Sequence, residues 1–445
     1  MQVLNLLRIK VIVHLLSGAL QRFPFLWKSA VRIYEIPRFV PKRHKYSRGS
    51  LSTSKQFKAQ QYSIVFDAQC LQTLTRQRGI GKYSLNLISS ICKKRPHQLF
   101  AAVLTNIATK ADLEKAILLL EDLDCPNLDV LVLNPFLEES KVSFSRARQT
   151  LQSQLESMGC RGLIALSPFE KHKSVITLPF SSAYKQIGIL YDLIRLQYPR
   201  VFLFSRNQKS SYLWSLENLA KFDLLFAISR ETETQWHRFG YPDTNIRVIH
   251  GGGFMGQPRQ NKGFSDRTGI LCISSEQPHK NLARLIESYT LLPEHIQFEH
   301  SLTILGIRSS GARRRFVKLS KKAAGKVIFK NYLEEEELIV EYLSARLLVM
   351  PSLVEGLSLP ILEAWSNGLV VIGSKGSVAE ELIENESFLF DPTNSSAMAK
   401  SMTLFLTSET HWQEAFEVSR LSALHFTWDA TASLVLNAIE GSIDD

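Results

Sequence analysis

The sequence predicts an α/β protein with two doubly wound domains, each a parallel sheet covered by helices. Three observations lead to this prediction. Short apolar segments alternate with helical ones at a spacing typical of parallel sheets. A chain of 445 residues is long enough for two domains that each bury a core. The stretch from Met350 to Ser374 reads as a strand, a glycine-containing loop, a helix and a second strand, which is a βαβ pattern.

The charge of the chain is concentrated at its N-terminus. Residues 1–61 hold 12 of the 53 Lys and Arg residues and one acidic residue, Glu35. The remaining sequence is balanced, with 41 basic and 41 acidic residues. The formal net charge of +11 therefore belongs to a basic N-terminal extension.

Residues 1–45 of this extension are rich in Leu, Ile, Val and Phe, with basic residues at intervals. Arg8, Lys10 and Arg22 interrupt the apolar sequence, so no uncharged run is long enough to span a bilayer, and the segment does not resemble a secretory signal. The pattern favours a helix on an anionic membrane surface, and hence a protein peripheral on the inner face of the membrane. A helix packed on the body or a disordered leader are the alternatives. Nucleic-acid binding is disfavoured because the segment is too aliphatic.

The cysteines indicate the compartment. Five of them are dispersed without a Cys-x-x-Cys pair or a histidine spacing suited to zinc. An odd, dispersed set favours reduced thiols in the cytoplasm, and the sequence predicts no metal site.

The first domain is predicted over residues 62–255. It opens with an apolar strand over 62–66, and Gly79 and Gly81 then form a loop that enters an amphipathic helix. A dinucleotide site is the competing interpretation. The glycines do not directly follow the strand, and Ser84 stands at the third glycine position, so that interpretation is weaker. Further strands are predicted over 99–104, 128–133, 163–166, 186–190 and 224–228.

The second domain is predicted over residues 266–425, after a polar linker over 254–268. Residues 426–445 are predicted to form a C-terminal helix that packs back on the first domain. The Arg and Lys clusters at 313–315 and 321–322 are interpreted as the solvated basic face of a helix. Strands are predicted over 269–273, 302–305, 327–329, 347–350 and 369–372.

Two carboxylates in the central stretch carry the candidate chemistry. Glu355 lies in the loop, and Glu363, eight positions later, is placed at the start of the following helix. A carboxylate accepts hydrogen bonds from vicinal hydroxyls, and the free amides of a helix start favour phosphate. Together they suit a nucleotide-sugar. The alternative is a solvated turn residue and an ordinary helix-start charge.

The central stretch also contains a longer pattern of residues, namely Pro351, Ser352, Glu355, Gly356, Leu359, Pro360, Leu362, Glu363, Ala364 and Gly368. This pattern resembles the signature of the family 4 retaining glycosyltransferases, which have the GT-B fold. Ser358 stands where the family usually has a second glycine.

The resemblance implies two Rossmann-like domains facing across a cleft, with the donor on the second and the acceptor on the first. Glu363 would hold the ribose hydroxyls and Glu355 the sugar ring. Lys280, in a His-Lys-Asn element similar to one in the family, would neutralise the diphosphate. The amides of Gly356, Leu357, Ser358 and Leu359 would complete the donor cradle.

In the first domain, Gly79 and Gly81 resemble the family's glycine-rich loop, which borders the donor phosphates and the acceptor. Tyr191 replaces a family histidine that lies near the transferred sugar. A tyrosine can donate a hydrogen bond but does not act as a base near neutral pH. The catalytic candidates are therefore Glu355, Lys280 and Tyr191.

The implied reaction transfers a sugar with retention from a donor such as GDP-mannose or a UDP-sugar to a glycan or glycolipid hydroxyl. The leaving phosphate would accept the acceptor's proton, and no cofactor is implied. Two alternatives remain open. One is a phosphorylase or epimerase on the same fold. The other is a catalytically silent, membrane-associated nucleotide-sugar-binding partner, suggested by Tyr191 and Ser358.

Overall fold

The computed structural model describes residues 62–135, 144–170, 175–176, 181–254 and 262–443. The predicted basic extension over 1–61 lies outside these residues. The described residues form two compact units. Unit 1 holds residues 62–249 and 432–443, and unit 2 holds residues 250–431.

Unit 1 is built on a parallel sheet of seven strands in the order β3-β2-β1-β4-β5-β6-β7. Its strands are β1 (Ile64–Asp67), β2 (Phe100–Thr105), β3 (Leu128–Leu133), β4 (Gly162–Ala165), β5 (Lys185–Leu190), β6 (Leu224–Ala227) and β7 (Ile246–Val248). Its helices are α1 (Gly79–Lys94), α2 (Lys110–Glu121), α3 (Phe144–Ser157), α4 (Ile194–Gln197), α5 (Pro199–Phe202), α6 (Arg206–Leu219) and α7 (Arg230–Arg238).

Unit 2 is built on a parallel sheet of six strands in the order β10-β9-β8-β11-β12-β13. Its strands are β8 (Ile270–Ile273), β9 (Leu302–Leu305), β10 (Val327–Lys330), β11 (Leu347–Met350), β12 (Val370–Ser374) and β13 (Leu389–Phe390). The helices that follow residue 250 are α8 (Leu282–Thr290), α9 (Glu294–Glu299), α10 (Ser310–Ser320), α11 (Glu335–Ser344), α12 (Leu359–Ser366), α13 (Val378–Leu382), α14 (Ser395–Thr407), α15 (Glu409–His425) and α16 (Trp428–Ile443).

The central strands are mainly apolar because helices cover both faces of each sheet. Every residue of β2, β4, β6, β11 and β12 is buried. Continuous apolar runs therefore mark these strands in the sequence, and the prediction located them to within one or two residues. The short edge strand β13 was not predicted, since two residues leave no periodic pattern.

Both sheets reverse their strand order at one place, between β1 and β4 in unit 1 and between β8 and β11 in unit 2. Where the order reverses, the connections leave in opposite directions and open a crevice at the carboxyl ends of the strands. Each unit thus has one place in its own sheet where a ligand site is expected.

The C-terminal helix α16 begins in unit 2, where the Trp428 indole donates to the Gly253 carbonyl at 2.8 Å. From residue 432 onward it belongs to unit 1, where Glu440 pairs with Arg95 at 2.9 Å. None of the helices in the described ranges is both long and apolar enough to cross a membrane.

Candidate functional site

The crevice of unit 2 lies between the segments that follow β8 and β11. A short 3₁₀ turn, Pro278–Lys280, follows β8, and a loop over 351–358 connects β11 to α12. The Leu353 amide donates to the His279 carbonyl at 2.8 Å, and the Asn281 side-chain amide donates to the Pro351 carbonyl at 3.1 Å. These bonds fix the two segments against each other.

Asn281 shapes the turn that presents Lys280. Its backbone is left-handed, with φ of 58° and ψ of 25°, a conformation that asparagine tolerates better than most residues. Its side chain also donates to the Pro392 carbonyl at 2.8 Å. The turn is therefore held on both sides, and α8 begins directly after it.

Lys280 and Glu355 meet across the crevice. The Lys280 ammonium lies 3.0 Å from Glu355 Oε1, and the two side chains are 23% and 6% exposed. A buried carboxylate needs such a partner, because desolvation of an unpaired charge is costly. The partly exposed ammonium remains accessible to a ligand phosphate. The structure thus brings together two residues that are 75 positions apart in the sequence and that were both predicted as catalytic.

His279 contributes no charge to this crevice near neutral pH. Burial, reinforced by the neighbouring Lys280 ammonium, lowers the pKa of His279 to about 4. Lys280 is therefore the cation that this turn presents at the crevice.

Buried oxygens without hydrogen-bond partners also belong to these segments. Ser274 follows β8, and Ser352 and Ser358 lie in the loop after β11; the hydroxyl oxygens of all three are buried and unpartnered. Glu355 Oε1 is buried as well and is paired with the Lys280 ammonium at 3.0 Å. Such groups are rare inside proteins because each loses its bonds to water. Their concentration here fits a polar ligand with hydroxyl or phosphate groups.

Ser358 is compatible with the loop. Its φ of −100° is ordinary for a residue with a side chain, so the backbone does not require the family's usual glycine. Its hydroxyl does not cap α12, although Ser358 precedes the first residue of that helix. The loop therefore accommodates serine and gains a buried hydroxyl.

Glu363 is held by a tyrosine that the sequence analysis did not identify. The Tyr342 hydroxyl donates to Glu363 Oε2 at 2.7 Å, and both side chains are buried. Burial, and then the Glu363 carboxylate, raise the pKa of Tyr342 well above its ordinary value, so the phenol keeps its proton. Glu363 is the fifth residue of α12, so its predicted place at the start of the helix was wrong by one turn.

A buried arginine fixes the elements that carry Tyr342 and Glu363. The Arg267 guanidinium donates to the Tyr342 carbonyl at 2.7 Å and to the Asn367 carbonyl at 2.8 Å. Its side chain is almost fully buried. These bonds satisfy carbonyls at the ends of α11 and α12, which have no partner within their own helices. Arg267 thereby sets the distance between Tyr342 and Glu363.

In unit 1, Tyr191 points into the core. It is 8% exposed, and its hydroxyl lies 3.3 Å from the Ser84 hydroxyl on α1. Its ring packs edge-on against Tyr83 at a centroid distance of 5.5 Å. Burial raises the pKa of Tyr191 well above its ordinary value, which keeps it a neutral donor. Its catalytic role stays a prediction.

Gly79 and Gly81 lie in the first turn of α1 and not in a preceding loop. Ser84, whose hydroxyl contacts that of Tyr191, lies in the same helix about one turn after these glycines. A Cβ atom on Gly81 would lie 2.5 Å from the Arg76 Cα atom, which explains the glycine. Their predicted part in ligand binding stays a prediction.

The crevice of unit 1 contains carboxylates that the prediction did not select. Asp67 ends β1 and lines, with Glu170, a cavity of about 20 Å³, which is room for one water molecule. Glu170 accepts from the hydroxyls of Thr73 and Thr75 at 3.0 and 2.9 Å. The sequence did offer a signal for Asp67, because it is a carboxylate at the carboxyl end of a buried apolar strand.

The second half of the chain matches a known family. Residues 257–417 match the model of glycosyl transferases group 1, and these residues include Lys280, Glu355 and Glu363. This part of the chain is therefore similar in sequence to the glycosyl transferases of group 1. The predicted relationship to these transferases is confirmed.

A relative of this chain is known in Escherichia coli. The serotype-specific mannosyltransferase WbdA is 27% identical over 296 residues, which cover 62% of this chain. The match covers 36% of the length of WbdA, so the chain corresponds to about a third of that protein.

Solved structures confirm the predicted GT-B fold. Sucrose-phosphate synthase from Thermosynechococcus elongatus has a TM-score of 0.62 at 14% identity, covering 86% of this chain and 98% of its own. Anabaena HepE in complex with UDP and glucose has a TM-score of 0.61 at 17% identity, covering 85% and 99%. At these identities the similarity is one of fold.

Proposed function

We propose that this protein is a retaining glycosyltransferase that moves a sugar from a nucleotide-diphosphate donor to a hydroxyl of a glycan or lipid-linked acceptor. The observation that carries the proposal is the crevice between β8 and β11, where the Lys280–Glu355 pair adjoins buried, unpartnered serine hydroxyls. Its polar groups match the chemistry of a nucleotide-sugar, which presents hydroxyls and a diphosphate.

Each site residue has a distinct part in the proposal. Lys280 exchanges its contact with Glu355 for the diphosphate and stabilises the charge that grows on the leaving phosphate. Glu355 then accepts hydrogen bonds from the sugar hydroxyls. Glu363, oriented by Tyr342, accepts hydrogen bonds from the ribose. The amides of residues 356–359 complete the cradle at the start of α12.

The proposal also accounts for the proton that the acceptor hydroxyl loses. The acceptor hydroxyl attacks the anomeric carbon on the face that the phosphate leaves, and the departing phosphate oxygen takes the acceptor's proton. Tyr191 is proposed to donate a hydrogen bond and not to act as a base, in keeping with its raised pKa. No cofactor takes part in this scheme.

The proposal also covers the donor sugar and the cellular setting of the reaction. A mannosyl donor such as GDP-mannose is favoured because WbdA is named a mannosyltransferase, and a UDP-sugar is the second candidate. The setting is the assembly of a polysaccharide or glycolipid at the cytoplasmic face of a membrane. The basic segment over 1–45, outside the described residues, is proposed to contact that anionic surface.

The test is acceptor-dependent release of nucleoside diphosphate from GDP-mannose and UDP-sugars, with mannose oligosaccharides or lipid-linked glycans as acceptors. Lys280→Met is expected to lower kcat/KM about 100-fold or more, since one electrostatic contact to the transition state is lost. Lys400→Met, on an exposed position of α14, is the matched control.

The alternatives give different results. Donor consumption that needs only phosphate, or no acceptor, would identify a phosphorylase or an epimerase. Saturable donor binding without turnover on any acceptor would identify a silent binding partner.

A further inference from the structure

Residues 308–330 of unit 2 hold nine Lys or Arg residues and no Asp or Glu, although the chain beyond residue 61 is neutral overall. The segment forms α10 and the strand β10, which is an edge strand of its sheet. Neither the proposed donor site nor the family match accounts for this charge.

The charge is organised by the helix. Arg314, Val317, Lys318 and Lys321 recur at intervals of three and four residues, so they lie on one face of α10 and its C-terminal turn. All four are exposed, whereas Phe316 on the opposite face is buried. This basic face, defined by Arg314, Val317, Lys318 and Lys321, lines a shallow open groove.

The cations of the basic face are not engaged by the protein itself. Within the described part of the chain, Arg314, Lys318 and Lys321 form no ion pair. Two other basic residues nearby do have partners within the protein. Arg313 donates to the Asn331 side chain at 2.9 Å, and Lys330 pairs with Glu341. The basic face therefore presents like charges that repel one another until an anionic partner binds.

An apolar side chain lies among these cations. Val317, on the basic face itself, is 40% exposed, whereas Leu319 lies on the other side of α10. Exposed aliphatic groups beside lysine and arginine suit the boundary between lipid headgroups and acyl chains. Single-stranded nucleic acid instead favours exposed aromatic rings for stacking, and α10, which is described in full, presents none.

We propose that the basic face of α10 docks unit 2 on an anionic lipid surface. Lipid phosphates would pair with Arg314, Lys318 and Lys321, while Val317 would enter the headgroup region. The inference does not depend on the proposed catalytic activity, because it concerns binding alone. It is also separate from the contact proposed for residues 1–45.

The experiment measures binding of the full chain to vesicles by co-sedimentation. Neutral phosphatidylcholine vesicles are compared with vesicles that contain about 30% phosphatidylglycerol, at low and high salt. The test variant is R314E/K318E/K321E. The control variant, K115E/K221E/K400E, changes the net charge equally at exposed lysines elsewhere. All proteins retain residues 1–61, so the contribution of that segment is common to them.

The proposal predicts salt-sensitive binding to anionic vesicles and weak binding to neutral ones. The dissociation constant of the α10 variant should be at least tenfold higher than that of the control variant. Circular dichroism verifies folding. If the reversal variant is unfolded, R314Q/K318Q/K321Q should still raise the dissociation constant about threefold or more.

Equal binding by the α10 and control variants would overturn the proposal, as would equal binding of the native chain to neutral and anionic vesicles. Displacement of the vesicles by single-stranded RNA through the same residues would assign the surface to nucleic acid instead.

Discussion

At the scale of single residues, Tyr342 is a buried group that orients the carboxylate of Glu363. Its hydroxyl restrains one oxygen of Glu363 at 2.7 Å, and Arg267 restrains the backbone on both sides of that pair. Tyr342 is thus a positioning residue for the proposed ribose site.

Tyr342→Phe should weaken nucleotide binding about three- to tenfold, because one charge-assisted hydrogen bond to the carboxylate is lost. If Tyr342 only stabilised the fold, the substitution would weaken the binding of 2′,3′-dideoxynucleotides as much as that of ordinary nucleotides. Calorimetric titration with both ligands checks this, and the preference for the ribose hydroxyls should shrink in the variant. An unchanged preference would show that Tyr342 does not orient Glu363.

The raised pKa of Asp67 predicts that the stability of the protein depends on pH. Its side chain is partly buried at the cavity it lines and crowded by protein atoms, and this desolvation raises its pKa from 3.8 to about 6. Because the folded-state pKa is higher than the unfolded one, Asp67 favours folding below pH 4, and that contribution is lost as the pH rises through 6. Two units of pKa correspond to at most about 3 kcal/mol.

Asp67→Asn removes the titration while keeping an oxygen for the Gln69 amide, which now donates to Asp67 Oδ1 at 3.3 Å. The variant should therefore be more stable than the native protein at pH 7.5 and similar or less stable near pH 4. Urea unfolding of both proteins from pH 4 to 7.5 measures the difference. A difference that does not change with pH would contradict the assigned cause.

At the scale of elements, the first turn of α1 depends on close packing against the preceding 3₁₀ turn, Leu74–Gln77. A Cβ atom on Gly81 would come within 2.5–2.7 Å of the Arg76 backbone, which cannot move away as a flexible side chain could. Gly79, two residues earlier, is exposed.

Gly81→Ala should therefore lower the free energy of unfolding by about 2 kcal/mol, in the range of overpacked sites. Gly79→Ala, in the same turn, should change it by less than about 0.5 kcal/mol, as surface substitutions do. Thermal unfolding of both variants makes the comparison. Similar losses in the two variants would show that the turn tolerates neither side chain.

The elements also show what a sequence can and cannot predict. The strands of both sheets were predictable because burial on both faces leaves continuous apolar runs, as in Leu347–Met350. The exact start of α1 was not, since glycines at 79 and 81 are typical of loops as well as of helix starts. Tyr342 escaped notice because its contact to Glu363 joins two helices, and a lone tyrosine carries no motif.

At the scale of the whole molecule, the candidate site follows from topology. Lys280 and Glu355 are brought together only because β8 and β11 are neighbours at the place where the strand order reverses. Family resemblance predicted which residues would matter, and the sheet order supplies the physical reason that they meet. The buried, unpartnered hydroxyls of Ser274, Ser352 and Ser358 depend on packing, which the sequence alone does not reveal.

The central claim is that unit 2 binds a nucleotide through Glu363 and the Lys280–Glu355 crevice. Isothermal titration calorimetry of the full chain with UDP, GDP and ADP tests it most directly, beside Glu363→Gln and the exposed control Glu384→Gln. We expect saturable binding of one nucleotide, weakened at least about tenfold by Glu363→Gln, or about 1.4 kcal/mol, and unchanged by the control. Binding unaffected by Glu363→Gln, or no binding of any of the three nucleotides, would contradict the account.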